Sequence, residues 1–436
     1  MPSLQEAIGK FKDAKVAVLG DVMLDHYTFG EVERISQEAS VPVVVRKSEK
    51  FTLGGAANVA HNLATLGATV WLGGTVGDDQ AGALVLKLLR DKNIDAGAVV
   101  TLAGRPTIEK HRIIAGESHQ LLRLDIEENN HLTSGEEARC CGLIAPVMKK
   151  CDVVIFSDYG KGYFSQPFAQ EIIALAKAEK KLMLADFKPK NRRCFVGVDA
   201  VSPNLTEARE MTGLHEVEEI GPRLVAEFNA HVIVTRGGEG VSLFRRESAS
   251  HHHVPGKKIK VFDVSGAGDT AIATLALGLT VGLDLEDAVT LANEAGTIVV
   301  QKPGTATLSR EELASVLRND NHVEGVAIVP KVWGYERWIE NNEKYCCKVL
   351  GLKKGYQCSM HYHKNKDETF LVTEGHVRLE LGSDVMHLRP GSFVRILQNT
   401  PHRFAGIDDS LIIEVSTHHE DSDSYRIEES KKMDNA

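Results

Sequence analysis

Residues 262–270, FDVSGAGDT, place Gly266 and Gly268 directly before Asp269, and the apolar helical run AIATLALGLTVGL (271–283) follows at once. Small residues at a helix start let backbone N–H groups converge on an anion, and the helix dipole adds to the attraction. Asp269 then stands where a carboxylate can take a proton from an attacking hydroxyl. The arrangement suits phosphoryl transfer from a nucleotide to an alcohol. The same residues would also serve as a glycine-rich turn that caps a helix.

Upstream, the short apolar runs 15–20 (KVAVLG), 151–157 (CDVVIFS), 182–186 (LMLAD), 199–203 (DAVSP) and 231–235 (HVIVT) end in polar or glycine-containing turns. Helical patterns such as SGEEARCCGLIAPVMKK and FAQEIIALAKAEKK separate several of them. Buried strands alternating with helices predict an α/β fold, a mostly parallel sheet with helices on both faces. Ligands of such sheets bind beyond the carboxyl ends of the strands, where Asp21, Asp158, Asp186 and Asn204 fall. Residues 28–47 and 105–125 instead alternate apolar and polar residues around turn-like centres, which predicts a small β lid projecting from the main body.

The 436 residues suffice for two or three domains, with 43% hydrophobic and 25% charged residues as in ordinary globular proteins. A net charge of −9 without a Lys/Arg block argues against a nucleic-acid partner. The N-terminus lacks the apolar core of a signal peptide, and no run of eighteen apolar residues could span a membrane. Seven cysteines, odd in number and without a C-x-x-C, fit reduced thiols and a cytoplasmic location.

After residue 320 the pattern changes. RNDNHVEG (318–325) reads as a polar linker, and KYCCKVLGL, TFLVTEGHVRLELG, VMHLRPGSFVRIL and LIIEVST read as strands split by glycine turns, hence a sandwich or small barrel. The expected domains are 1–318, a linker at 319–329, a second domain at 330–420 and a frayed polar tail at 421–436. His251–His253 are expected in a surface loop.

Several further elements accompany the glycine loop. GGAAN (54–58) opens a helix and brings the Asn58 amide toward a polyol, and Gly20-Asp21 ends the first strand. NLTE (204–207) spaces Asn204 and Glu207 one turn apart, where they could hold water around Mg2+ or form an N-cap pair. TRGGEG (235–240) offers glycine amides to a nucleotide phosphate. In this order and spacing, residues 10–318 resemble the ribokinase-like (PfkB) sugar kinases. The resemblance makes Asp269 the catalytic base and the amides of Gly266, Ala267 and Gly268 the anion hole. It gives sugar hydroxyls to Asp21, Gly55 and Asn58, and the ATP site to Thr235 and Gly237, with Asn293 near the adenine.

Finer features, GDVMLDHYTFGEVERISQEASVPVV, PTIEKHRII, HQLLRLD and SDYGKGYFS, look like the heptose-7-phosphate kinases of lipopolysaccharide-precursor synthesis. These phosphorylate the anomeric hydroxyl of a sugar phosphate, and Lys110, Arg112 and Arg123 on the lid strands could meet its phosphate. Gln37 and Ser40 stand where that subfamily usually has prolines, and DFKPKN (186–191) replaces its usual DPKG. The resemblance implies a homodimer.

In GYQCSMHYHKNKDETFLVTEG (355–375), His361 and His363 alternate on a strand and Glu368 follows a turn. PGSFVRILQNTPHRF (390–404) adds His402. Three imidazoles and a carboxylate suit a divalent transition metal such as Zn, Fe, Mn or Ni, and the spacing is similar to the cupin family. KVWGYERW (331–338) resembles the start of the cupin in bifunctional mannose-6-phosphate isomerases, which implies an isomerase or a sugar-sensing module. Heptose kinases often carry a nucleotidyltransferase in this place. No HxGH-type motif follows residue 320, so that activity is not expected.

Overall fold

The computed structural model describes residues 3–116, 119–248, 250–257, 259, 261–302, 304–317 and 328–433. The chain forms two compact units, Met1–Asp320 and Asn321–Ala436.

The first unit is built on a nine-stranded sheet in the order His251–Pro255, Gly240–Phe244, His231–Thr235, Ala200–Val201, Leu182–Phe187, Val153–Asp158, Lys15–Gly20, Thr69–Gly77 and Asp95–Leu102. The last seven are mutually parallel, and an antiparallel hairpin closes the other edge. Val153–Asp158 is buried along its length, as a central parallel strand with helices on both faces must be. Two apolar clusters cover the faces, one around Val18, Ile155 and Leu277, the other around Phe156, Phe164 and Phe228. The expected strand at 199–203 shrinks to Ala200–Val201. His251–His253 lie in the edge strand, not a loop, and the His251 ring stacks on Phe244 at 4.6 Å. An edge strand tolerates polar side chains because one side faces solvent, which is why the sequence reads as a loop.

The chain leaves the central strand at Gly20 and runs directly into Val22–Ile35, the long strand of a second sheet ordered Pro42–Gly55, Val22–Ile35, Ile108–Ala115 and His119–Ile126. This is the expected lid, and it starts earlier in sequence than residue 28. Gly20 is required at the departure, since a Cβ there would sit 1.8 Å from the Ser157 carbonyl oxygen.

The second unit packs a six-stranded sheet and a seven-stranded sheet around Phe370, Val372, Leu379, Phe404 and Ile412. Most of the expected linker lies outside the described residues, and Ile328–Lys331 already forms a strand. The polar tail is not frayed over its described part. Tyr425–Glu428 pairs with Met360–Tyr362, and Lys431–Lys432 pairs with Tyr356–Gln357. Open sheet edges bind any extended backbone through its amides, whatever its side chains. The Asp423 carboxylate secures the junction by accepting amide hydrogens of Lys364, Asn365 and Lys366. Among the described residues, no helix is long and apolar enough to cross a membrane.

Candidate active site and metal centre

Gly266 caps the helix Ala267–Thr280 in the left-handed conformation, φ 80°, and a Cβ there would stand 2.9 Å from Asn58 Nδ2. Asp269 is therefore the third residue of the helix. Its carboxylate is buried and accepts from Asn58 Nδ2 at 2.7 Å and from the Tyr159 hydroxyl at 2.7 Å. Burial pushes its pKa up to about 6, although both hydrogen bonds pull it down. A carboxylate poised there is a competent base near neutral pH.

Asn58 belongs to the helix Ala56–Thr65, which starts at Gly55, φ 58°, directly after the lid strand. Asn62 continues the buried network, donating to the Asn58 carbonyl and accepting from the Thr270 hydroxyl. Asn58 thus orients the Asp269 carboxylate.

The buried Asp21 carboxylate accepts backbone N–H groups of Tyr159 at 2.8 Å, Lys161 at 3.0 Å and Tyr163 at 3.2 Å, which anchors the loop after Val153–Asp158. Asp25, four residues on, is the carboxylate on the lid side. It receives Arg112 Nη1 at 2.6 Å, and its charge reaches Asp269 and Lys110. Alternation along Val22–Ile35 puts Asp25 and Tyr27 on one face, a signal that was available in the sequence.

Lys110 and Arg112 share that face of the lid. Arg112 lies over the Tyr27 ring at 5.2 Å, and the Lys110 ammonium lies over the Tyr159 ring at 5.0 Å. Burial lowers the Lys110 pKa. Arg123 pairs across the strands with Arg112 but is chelated by Asp125 and half exposed, so it stands at the rim.

On the other side of the glycine loop, a cavity of about 670 Å3 is lined by Thr235, Gly237, Ala267, Gly268 and Asn293 among others. Five residues assigned to nucleotide and phosphate from sequence thus meet on one surface. Asn293 also donates to the Pro255 carbonyl. The Ala267 amide donates to the Val264 carbonyl at 3.3 Å.

Asn204 and Glu207 form a capping box on Leu205–Thr212, the alternative that the spacing left open. The remaining Glu207 oxygen takes Lys188 Nζ at 2.6 Å, and that ammonium also lies over the Tyr159 ring at 5.6 Å. Lys188 comes from DFKPKN. Asp186, from the same segment, is pushed up to about 8 by burial and by the charges of Glu207 and Asp269. Crowded carboxylates beside a phosphate loop are the chemistry of a Mg2+ site.

In the second unit, His361 and His402 are paired across strands and cluster with His363, their ligand atoms within 4.8 Å of one another. His363 lies one residue beyond Met360–Tyr362. Each Nδ1 meets a backbone carbonyl: Ser359 at 2.9 Å, Asp423 at 2.8 Å and Thr400 at 3.0 Å. Carbonyls only accept, so each Nδ1 carries the hydrogen and each Nε2 presents a lone pair. Burial and the neighbouring imidazoles push the His361 pKa down to about 3. Glu368 Oε2 is buried without a hydrogen-bond partner, 3.2 Å from His402 Nε2. Two such atoms at that distance share either a proton or a cation, and three imidazoles with a carboxylate are a donor set that fits a transition metal. The sequence reading missed Lys366, which is buried and bridges Glu368 at 2.6 Å and Glu414 at 2.5 Å. A cavity of about 370 Å3 adjoins this group and includes Trp333, Lys348 and Arg426 in its lining.

The profile of the pfkB family carbohydrate kinases matches residues 13–312, and that of the cupin domain matches residues 349–415. The chain is 41% identical over 310 residues to "Bifunctional protein HldE" of Azorhizobium caulinodans, covering 70% of this chain and 64% of that protein. It is 37% identical to the Wolinella succinogenes protein of the same name, covering 71% and 66%. The chain thus spans slightly less than two thirds of these relatives' length. Arabidopsis thaliana ribokinase, solved with ribose and ATP, superposes with a TM-score of 0.56 at 19% identity, over 70% of this chain and 99% of that one. The tetrameric inhibited form of Escherichia coli phosphofructokinase-2 gives 0.59 at 18%, over 70% and 98%. At these identities the superpositions establish the ribokinase-like fold.

Proposed function

The chain belongs to the pfkB family of carbohydrate kinases, and from that premise we propose that it transfers the γ-phosphoryl group of ATP to the anomeric hydroxyl of a sugar phosphate. D-glycero-D-manno-heptose 7-phosphate, giving the 1,7-bisphosphate, is the leading substrate, by the lid motifs and by the likeness to HldE proteins. The observation that carries this reading is the place of Asp269. It stands at the start of the helix whose Ala267 and Gly268 line the large cavity, and Tyr159 links it to Lys110 on the lid. The hydroxyl proton passes to the Asp269 carboxylate as its oxygen attacks the γ-phosphorus, and the bond to the β,γ-bridging oxygen breaks to release ADP. The Gly266, Ala267 and Gly268 amides receive the charge that builds on the phosphoryl oxygens. Lys110 and Arg112 take the substrate's own phosphate. Mg2+ fits beside Asp186 and Glu207 and would neutralise phosphate charge. A screen of phosphorylated heptoses, hexoses and pentoses with ATP tests the assignment. Turnover of free ribose or fructose as fast as any sugar phosphate would overturn it.

For the cupin we propose a divalent transition metal held by His361, His363, Glu368 and His402, in a pocket that binds a related sugar phosphate. A bound ion would polarise a ligand oxygen. The second reading, a sugar-phosphate isomerase resembling the mannose-6-phosphate enzymes, is favoured by the buried Lys366–Glu414 contact, a donor–acceptor pair beside the metal ligands. The third is a sensing module without turnover. Aldose–ketose conversion lost in His361→Ala with kinase activity retained supports the second, and its absence from the unaltered protein leaves the third. The fold relatives include a tetramer. We propose a cytoplasmic homodimer, which sedimentation of the purified chain would test.

A further inference from the structure

The sequence motifs give Tyr159 no role, yet it stands where the residues they single out meet. Its backbone amide donates to Asp21, its hydroxyl donates to Asp269, and its ring carries Lys110 from the lid and Lys188 from the segment after Leu182–Phe187. Gly160 and Gly162, φ 68° and 93°, give the loop the sharp path that turns this side chain inward. A buried carboxylate invested in three loop amides is costly to place, and here it fixes the residue that touches the base.

We propose that Tyr159 is a positioning residue for phosphoryl transfer, which holds Asp269 in one rotamer and in its ionised form and couples that state to the lid cation Lys110. The inference rests on the reading of the first unit as a sugar-phosphate kinase with Asp269 as base. The Tyr159 hydroxyl is a permanent donor, because burial and the charges of Asp269 and Asp186 hold its pKa far above the ordinary value. It never takes the substrate proton. With Asn58 on Oδ2 and Tyr159 on Oδ1, the carboxylate cannot rotate, and each oxygen keeps one lone pair. The charged and titratable groups facing Asp269 are Asp25 and Lys110 on the lid, Asp186 and Lys188 from the neighbouring segment, and Tyr159. Of these, Tyr159 alone is hydrogen-bonded to it among the described residues. Lys110 stands over that ring and its charge favours the Asp269 anion, so a lid displaced from Tyr159 leaves the base less favoured as an anion.

The test compares the full chain with Tyr159→Phe, which keeps the ring and both cation contacts and loses the hydroxyl. A hydrogen bond to a charged group is worth enough to move a titration by about one pH unit. The acid limb of kcat should therefore move upward by about one unit. On that limb the rate should fall roughly tenfold and recover toward the unaltered protein above pH 8, with KM for ATP unchanged. Carboxyl 13C NMR of the aspartate-labelled full chain, with the Asp269 signal identified by its loss in Asp269→Asn, reads the same shift without turnover. Tyr159→Leu, which also removes the platform under Lys110, should in addition raise KM for the sugar phosphate severalfold. If no sugar phosphate is turned over by the unaltered protein, the kinase reading fails and the NMR titration still decides the contact. Coincident Asp269 titrations in the two proteins, or an equal loss of rate at every pH, would overturn the positioning role.

Discussion

Asp269 is a buried group on which both rate and stability are expected to depend. Asp269→Asn keeps the shape, because the new amide can accept from Asn58 and donate to the Tyr159 oxygen, but it cannot take a proton. Turnover should fall by roughly 10²–10⁴-fold while nucleotide affinity, measured by calorimetry, is kept. In the unaltered protein the base must be ionised, so the rate should decline as pH falls through about 6. Stability should move the other way. Between the model-peptide value of 3.8 and about 6, the folded chain holds this proton more tightly than the unfolded chain does. The ionised carboxylate therefore costs stability above pH 6, and the cost fades on acidification. Asp269→Asn should accordingly melt at a higher temperature than the unaltered protein at pH 7.5, a difference that scanning calorimetry would detect. A lower melting temperature would mean that the two hydrogen bonds outweigh the burial of the charge. Lys110→Ala removes a desolvated cation from the lid face, and KM for the sugar phosphate should rise by roughly tenfold, as expected for one charge-assisted contact.

At the scale of elements, the helix Leu205–Thr212 is capped by two residues, one of which also holds an ion pair. Asn204 and Glu207 close the capping box, and Glu207 also receives Lys188 beside Asp186. Glu207→Gln retains an oxygen for the Asn204 amide and loses the ion pair. The melting temperature should stay within a few degrees, while the Mg2+ concentration for half-maximal rate rises. An unchanged Mg2+ dependence would leave the segment as a cap and nothing more. The lid illustrates a second coupling. Its long strand follows the central strand Lys15–Gly20 after a single residue, Asp21, whose carboxylate pins the Tyr159 loop. The base and the lid are thus tied to one turn of backbone.

For the whole molecule, the two units present different donor sets. The first presents carboxylates and backbone amides, which suit Mg2+, whereas the second presents three imidazole Nε2 lone pairs. Elemental analysis after dialysis should find about one zinc, iron, manganese or nickel per chain, and the double variant His361→Ala/His363→Ala should lose it. Its phosphoryl transfer should remain near the unaltered rate, since every residue assigned to that reaction precedes Arg310. Equal metal content in both proteins would mean that the buried Glu368 oxygen has another partner.

Local pattern alone carried a good deal of this protein. Apolar strand runs with helical spacers specified the α/β body, glycines before Asp269 specified the turn that opens its helix, and His-x-His with a following glutamate specified the cluster in the second unit. Each is a property of residues within about one turn of chain, where side-chain direction follows from periodicity. What the tertiary structure decided are the contacts between segments far apart in sequence. Sequence offers the strand-end aspartates Asp21, Asp158 and Asp186 as equivalent. Only the folded chain turns Asp21 onto the Tyr159 loop, Asp158 onto the Asn191 amide and Asp186 toward Gly268, and sets Asp25, from within the lid, against Arg112. Lys188 over Tyr159, and Lys366 between Glu368 and Glu414, were hidden for the same reason. A cation in a polar segment reads as solvated surface, and it becomes part of a site only when remote strands bring carboxylates around it and exclude water.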